Sequence, residues 1–560
     1  MKKFIRSNEL LFILIISLLV LLCSSISFSS LFIDNIIFPK WMCLFALTSL
    51  LLFSLIISIT IGYHKIFISK IELILFLYMI LLFFIFQKQG QNYNESIIFI
   101  LCLALYVFFR LQSKNCNFQK IMNLLLILGG GISLYYGVFQ LFRNYFLIDG
   151  PYDSTVGFSL SISIAIIALY NCFTYFENKV YRAICIGLIA IFITMLIFSG
   201  SRVGLISIFI SSVLFFYKKY FSILVGIGLL GVLFSFNYKI DSTQGRIFIY
   251  QTAISMLDSP SHLLWGRGAG GFRKEYMIYQ AESLKNKTTD VCQRADNIRH
   301  PLNEFLLLLI NHGIIVLLLL LIMVLVVIRN VVHFDLFQIA IFITIFVFSL
   351  FAYPFRYPIT WIVLIWNFSN LRFYQRKKIY LIPKSFFVVL LLFISISLSL
   401  YVTQTIYLHY DWAKAYNVSR LGRFETASVL YEKVYDGLNN MPEFLYNYAS
   451  FLLKVGDIER ALFVIQQCDI IDYETQILKA EIFLANLNYQ EALSHYKLAA
   501  DMCPNRFVPL FAMYRIYGLL LDKTSQCKIA NEILTKPVKV PSYQINNIVR
   551  TVKQENILAK

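Results

Sequence analysis

The chain has 560 residues, 59% of them hydrophobic with aromatics included and only 14% charged, and a mean hydropathy of +0.70. A soluble domain is about 45–50% apolar and about 25% charged; the composition therefore excludes an ordinary soluble enzyme over most of the length, and a disordered chain as well, which needs low hydrophobicity and high charge. The net charge of +18 is uneven, with 32 Lys/Arg against 15 Asp/Glu in residues 1–407 and 17 against 16 in residues 408–560, so the basic excess belongs to the apolar part, where loop cations orient membrane proteins, and no basic stripe of the kind nucleic acid requires appears on a soluble face.

Met1-Lys2-Lys3 precedes a long apolar run with no small-residue cleavage site, which reads as a first transmembrane span and not as a cleaved leader. Runs of about 15–24 apolar residues then recur, each near the length that crosses about 30 Å of hydrocarbon. They predict thirteen spans, at about 9–33, 41–61, 71–87, 97–110, 121–142, 156–175, 183–200, 203–217, 221–237, 305–328, 336–352, 358–371 and 385–407. With the N-terminus inside and alternating crossings, eighteen Lys/Arg fall on inner segments against five on short outer loops: Lys40, Lys88, Arg143, Arg202 and Arg356. That bias sets the orientation and puts everything after residue 407 outside. The ten cysteines lie mostly inside apolar runs, with no CxxC pair and no metal-like spacing, and read as packing residues.

Short outer motifs come first along the chain: Gly150-Pro151-Tyr152-Asp153, then the hairpin Ser199-Gly200-Ser201-Arg202-Val203-Gly204 between spans seven and eight. The stretch 238–304 is polar, predicted to lie outside, and too long for a mere connector. It holds Gly245-Arg246, a glycine-rich Trp265–Phe272 turn containing Arg267, and Arg299-His300-Pro301-Leu302-Asn303-Glu304-Phe305-Leu306, which runs into the next span. The glycine run lacks the Gly-Lys-Ser/Thr of a nucleotide loop and reads as a tight backbone turn. Arginine forks suit phosphate oxygens, and an imidazole can take or give a proton near neutral pH. Arg202, Arg246, Arg267, Arg299 and His300 at one membrane face would suit a lipid-linked pyrophosphate. Each has a plainer alternative: Arg202 as a snorkelling anchor, Arg246 as a solvated charge, His300 as a helix-start residue, Asn303 as a cap. Asp153 is a weaker carboxylate candidate, His312 reads as a packing residue, and His262 and His333 show no partner in sequence.

Residues 408–560 have helical periodicity and an internal repeat. Ala427, Ala461 and Ala492, spaced by 34 and 31 residues, each follow a turn signal at Gly422, Gly456 or Asn488, and Tyr431, Ile465 or Tyr496 comes four residues later. This pattern predicts tetratricopeptide-like helical hairpins, an array that binds partners and performs no chemistry itself.

The Ser-Arg hairpin, the Gly-Arg start of the large loop, the Trp265–Phe272 turn and His-x-x-Asn-Glu-Phe-Leu together resemble the O-antigen ligase and polymerase superfamily, which includes the protein O-oligosaccharyltransferases. The likeness covers roughly residues 120–370; the family's Asn-Pro-Asn portion of the first outer-loop motif is absent here. It implies an all-α, polytopic membrane fold of the GT-C type with about 12–13 transmembrane helices in residues 1–407, to which the repeats add a C-terminal α-solenoid in 408–560. The resemblance further implies a metal-independent, cofactor-free, inverting glycosyltransferase of the bacterial inner membrane, acting on an undecaprenyl-diphosphate-linked donor at the periplasmic face. Arg202 and Arg246 match the family's donor-phosphate arginines and His300 its loop histidine, with Arg267, Arg299 and Asn303 as supporting residues. The acceptor would be lipid A core, a growing polymer or a protein hydroxyl, the repeats favouring a macromolecule and offering a surface for protein partners. A polysaccharide exporter or flippase is the alternative from another class, as is a non-catalytic scaffold. An exporter would carry ionisable residues mid-span, and the predicted spans are nearly free of them.

Overall fold

The computed structural model describes residues 2–23, 29–61, 66–88, 93–113, 115–143, 145, 147–216, 240–285, 287–373 and 379–558. The predicted span 221–237 lies outside them, as do Lys65, Lys114, Lys218, Lys219, Arg376, Lys377 and Lys378 of the predicted inner set.

Apolar helices lead the chain: α1 (Lys2–Leu21), α2 (Ile37–Ile61), α3 (Lys70–Lys88), α4 (Tyr93–Gln112), α5 (Cys116–Phe142), α6 (Thr155–Tyr175), α7 (Lys179–Phe198) and α8 (Arg202–Phe216). Asn115, Ser154 and Asn178 start α5, α6 and α7 by accepting from the first free backbone N–H groups. The large loop folds into α9 (Ile240–Ser255), α10 (Pro260–Trp265), α11 (Gly271–Leu284) and α12 (Thr289–Arg294). Then come α13 (Glu304–Asn330), α14 (Leu336–Phe351), α15 (Pro358–Ser369) and α16 (Lys384–Arg420), and eight shorter helices, α17 (Phe424–Leu438), α18 (Pro442–Val455), α19 (Ile458–Gln466), α20 (Tyr473–Ala485), α21 (Tyr489–Met502), α22 (Val508–Leu519), α23 (Lys523–Thr535) and α24 (Tyr543–Leu558). Among the described residues the fold is all-helical save for two small antiparallel pairs: β1 (Ile66–Ser69) with β4 (Ile379–Ile382), and β2 (Val331–His333) with β3 (Arg372–Phe373).

The chain forms two compact units. One comprises Met1–Tyr238, Leu302–Phe305 and Ile315–Tyr410; the other comprises Lys239–Pro301, Leu306–Ile314 and Asp411–Lys560.

In the first unit α6 is buried almost throughout, from Gly157 to Asn171. Serine hydroxyls join neighbouring helices, Ser133 with Ser161 at 3.0 Å and Ser49 with Ser395 and Ser399 at 3.1 and 2.6 Å, a means of association suited to lipid. Outward faces stay apolar, as on α7 with Ile184, Ile186, Ile191 and Ile197 exposed. Six described helices are long and apolar enough to cross a membrane, and six shorter apolar helices accompany them, by length and composition. One end of this bundle gathers residues of the predicted inner side: Arg110 binds Glu72 at 2.6 Å and the carbonyls of Ser369 and Leu371 at 3.0 Å, while Gln119 meets Asn370 at 2.8 Å. The other end gathers Lys40, Asp153 and Arg356, described below.

Two features cut across residue 407. Helix α16 runs unbroken through residues 407 and 408 to Arg420. The large loop packs with the repeats as one unit. Helix α13 is interrupted at Gly313 (φ 78°, ψ 175°), and Leu306–Ile314 belong with the loop and repeats, so the predicted span 305–328 divides at its first third.

Candidate functional site

At the second end of the helical bundle, the Gly150–Asp153 turn is held from below by Gln140, whose Oε1 accepts from the N–H groups of Asp149 and Gly150 at 3.1 and 2.8 Å. Asp153 accepts from Arg356 Nη2 at 2.6 Å and from the Tyr357 hydroxyl at 3.0 Å, and Tyr357 also meets Ser154 Oγ at 2.7 Å. Trp41 Nε1 donates to the Arg356 carbonyl at 3.1 Å. Lys40 is fully buried, its Nζ 5.3 Å from the centre of the Tyr152 ring. Arg202 opens α8 two residues before Gly204, which leaves only 3.1 Å between an added Cβ and Ser159 Cβ on the second turn of α6. The Ser-Arg hairpin thus abuts the helix that Asp153 and Ser154 begin. Lys40 and Arg356 were legible only as exceptions to the inner bias of basic residues; Tyr357 carried no signal.

In the second unit the glycine-rich turn has a structural task. The break at Gly313 removes helical partners from the carbonyls of Ile310 and Asn311, and the N–H groups of Arg267 and Gly268 donate to them at 2.8 and 2.9 Å. Asn311 Oδ1 in turn accepts from the N–H of Phe272 at 3.0 Å. The approach is backbone to backbone: a Cβ on Gly313 would lie 2.2 Å from the Leu264 carbonyl oxygen, and one on Gly266 2.4 Å from that of Asn311. Both glycines have positive φ, so no other residue fits.

Arg267 is held inside this turn, its side chain 6% exposed. Its guanidinium donates to the Met256 carbonyl at 2.6 Å, to Asp258 at 2.8 Å, and to Glu275 and the Tyr279 hydroxyl. With every nitrogen engaged, Arg267 braces the loop and does not present a fork to a ligand. Asp258 also accepts from Tyr279 at 2.5 Å and meets His262 Nδ1 at 2.6 Å. These hydrogen bonds and the Arg267 charge hold its carboxyl far below the usual carboxylate range. His262 therefore has a partner, contrary to the sequence expectation; the signal was the Asp-x-x-x-His spacing at one helical turn. His333 likewise has Asp335, at 3.5 Å.

Arg299 is exposed and pairs with Glu474 at the start of α20, at 2.6 Å. It is one of a row of contacts between the loop and successive turns of the repeat array. Arg273 meets Glu443 at 2.5 Å, and Lys274 meets Asp469 at 2.7 Å while its carbonyl accepts from the N–H of Ile471 at 3.0 Å. Asp296 meets Arg506 at 3.0 Å, and Asn505 donates to the carbonyls of Gln293 and Ala295 at 3.1 and 2.6 Å. Buried Gln280 donates to the Met502 carbonyl at 2.8 Å.

Of the residues the sequence singles out, Arg202 and Asn303 lie in the first unit, and Arg246 (on α9), Arg267, Arg299 and His300 in the second. Arg267 and Arg299 enter separate networks. Arg202, Arg246, His300 and Asn303 are half-buried, and none of the four lacks a partner. Between His300 and Asn303, Leu302 adopts φ 57°, a left-handed conformation that costs a non-glycine residue about 1–3 kcal/mol and concentrates at functional sites. Buried His312 (5% exposed) packs within α13. Among the described residues, no three His, Cys, Asp or Glu side chains group as a metal site would need.

The architecture defines an all-helical protein with apolar helices of membrane-crossing character and a C-terminal helical repeat region. Residues 407–468 match a family described as YpiA-like, C-terminal tetratricopeptide repeats, and the C-terminal region carries tetratricopeptide repeats. No curated protein matches the chain. The crystal structure of yeast Tom70 is similar over 83% of this chain and 93% of its own, at 10% identity and a TM-score of 0.23; so loose a likeness carries no argument.

Proposed function

We propose that the protein is an inverting glycosyltransferase that moves a glycan from a polyprenyl-diphosphate donor to an acceptor hydroxyl at the outer face of the bacterial inner membrane. The acceptor hydroxyl attacks the anomeric carbon as the bond from that carbon to the diphosphate oxygen breaks. His300 takes the hydroxyl proton, and Arg202 and Arg246 neutralise charge on the departing diphosphate. One such preorganised donor is worth about 2.7–4 kcal/mol in the transition state, and a general base about 10²–10⁴ in rate.

The observation that carries this reading is the company Arg202 keeps. Membrane proteins deplete outer loops of cations, yet Lys40 and Arg356 gather around Asp153 at one end of the bundle, and the Arg202 hairpin abuts the helix that starts there. Backbone strain beside His300 at Leu302 adds support. The loop and the repeats form one compact unit, so the proposal places both on the same side, with α13, α14, α15 and α16 making an even number of crossings between them. Protein partners remain the ordinary business of a tetratricopeptide array. One edge of this array is covered by the chain's own loop, which weakens the case from repeats to a protein acceptor.

Deletion of the gene followed by mass spectrometry of surface glycans and secreted proteins would identify the acceptor: glycan-free lipid A core, shortened chains or unmodified Ser/Thr. Complementation with Arg202→Ala or His300→Ala, at protein levels equal to wild type, is expected to restore less than about 1% of transfer. Full restoration by both would remove the role assignment.

A further inference from the structure

We propose that the repeat array is a receptor for the chain's own large loop, and that Glu474, acting through Arg299, is a positioning residue for His300. The proposal rests on the transferase role given to His300. Three consecutive inter-repeat turns, at 441–443, 469–474 and 502–506, each hold the loop by at least one charged pair or backbone bond. The charges change sign between the second and third turns, which fixes register. Basic Arg273, Lys274 and Arg299 on the loop face acids of the first two turns, while acidic Asp296 faces Arg506 of the third. A loop shifted by one repeat would bring Asp296 to Asp469 and Glu474, or Lys274 to Arg506. Like charges so placed repel, which gives the edge one partner and one alignment.

The contact between Arg299 and Glu474 is the one next to the proposed base. Arg299 precedes His300, and the following residues are Pro301, with its fixed φ, and Leu302 in the left-handed region. The backbone from Arg299 to Leu302 therefore has little freedom of its own, and the Glu474 carboxylate sets where its first residue stands. Both side chains are about half exposed, so the pair adds little to global stability. Its effect is local and shows in geometry, where a misplacement of about 1 Å can cost on the order of 10²-fold in rate.

The test uses the full-length chain and the charge reversals Glu474→Arg, Arg299→Glu and the two combined. Glycan transfer is read in the deletion strain at equal protein levels. Amide exchange is read on purified protein in nanodiscs, over residues 297–303 and separately over α11. Each single reversal is expected to lower transfer about tenfold or more and to speed exchange at 297–303, with α11 protected as in wild type because the other contacts hold it. The combined swap is expected to restore both to within about threefold, since it rebuilds the pair with opposite polarity. Wild-type transfer in the single variants, or a swap that leaves transfer low while 297–303 regains protection, would overturn the positioning role. Exchange at 297–303 that ignores Glu474 altogether would overturn the receptor role of this turn. If His300→Ala still transfers glycan, the catalytic assignment falls alone, and the exchange data continue to decide whether Glu474 fixes this segment.

Discussion

Arg202 and Arg267 are both arginines close to glycines in segments between apolar runs, and the sequence alone ranks them only by motif. Their surroundings separate them. Arg267 is enclosed, with a carbonyl, two carboxylates and a phenol around one guanidinium. Removing it leaves Asp258 and Glu275 without their cation in a partly covered site, a smaller loss than for a fully buried pair because both acids are more than a third exposed. Arg267→Ala is therefore expected to loosen the loop, read as faster amide exchange across α10 and α11 and earlier protease nicking. Arg202→Ala should lose transfer with exchange unchanged. The same loop shows what single residues conceal: Asp258 and His262 stand one helical turn apart, but only the fold adds Tyr279 and Arg267 to the same carboxylate.

Elements repeat where residues do not. The turns between paired helices of the array recur at Gly422, Gly456, Leu487 and Leu521, each with positive φ, at intervals of 34, 31 and 34 residues. Ala427, Ala461 and Ala492 made the first three units legible, because a small residue five positions past the turn lets the helices approach. The fourth was hidden. Its turn is held by Leu521, and Gln526 stands where the alanine would be; Gly518 on the facing helix yields the space, with only 2.8 Å from an added Cβ to the Gln526 amide. The small residue has moved to the partner helix, and no reading of one helix could find it. Leu521 is 84% exposed and loses no packing if truncated. A left-handed leucine costs about 1–2 kcal/mol, against about 0.5–1 kcal/mol for glycine's greater freedom when unfolded. Leu521→Gly is thus expected to stabilise the α22–α23 hairpin by up to about 1 kcal/mol, measured as slower amide exchange there, whereas Gly456→Ala should loosen α18–α19 by a similar amount. The break in α13 was hidden for a related reason. Asn311-His312-Gly313 sits in an unbroken apolar run, and its meaning lies in the orphaned carbonyls that the Arg267-Gly268 backbone satisfies.

At the scale of the molecule, hydropathy showed most of the bundle, since crossing length and apolar faces are written in composition. The docking of the loop on the repeats was not legible, because it depends on charged pairs between segments about 170–210 residues apart. That docking constrains topology more tightly than the charge count does. The loop and the repeats pack as one unit, and Arg110, Gln119 and Asn370 cluster at one end of the helical bundle. The chain carries its own reporters of this arrangement. Cys116 is exposed at the start of α5, three residues before Gln119, and Cys527 is exposed on α23 of the array. A membrane-impermeant maleimide added to cells with a permeabilised outer membrane is expected to label Cys527 and spare Cys116. Lysis should then make Cys116 reactive. Labelling of Cys116 alone in intact cells would invert the protein and move every proposed phosphate ligand to the cytoplasmic side. Labelling of both before lysis would mean that an even number of crossings separates Cys116 from the array, against the nine spans predicted between them, and would overturn the proposed topology.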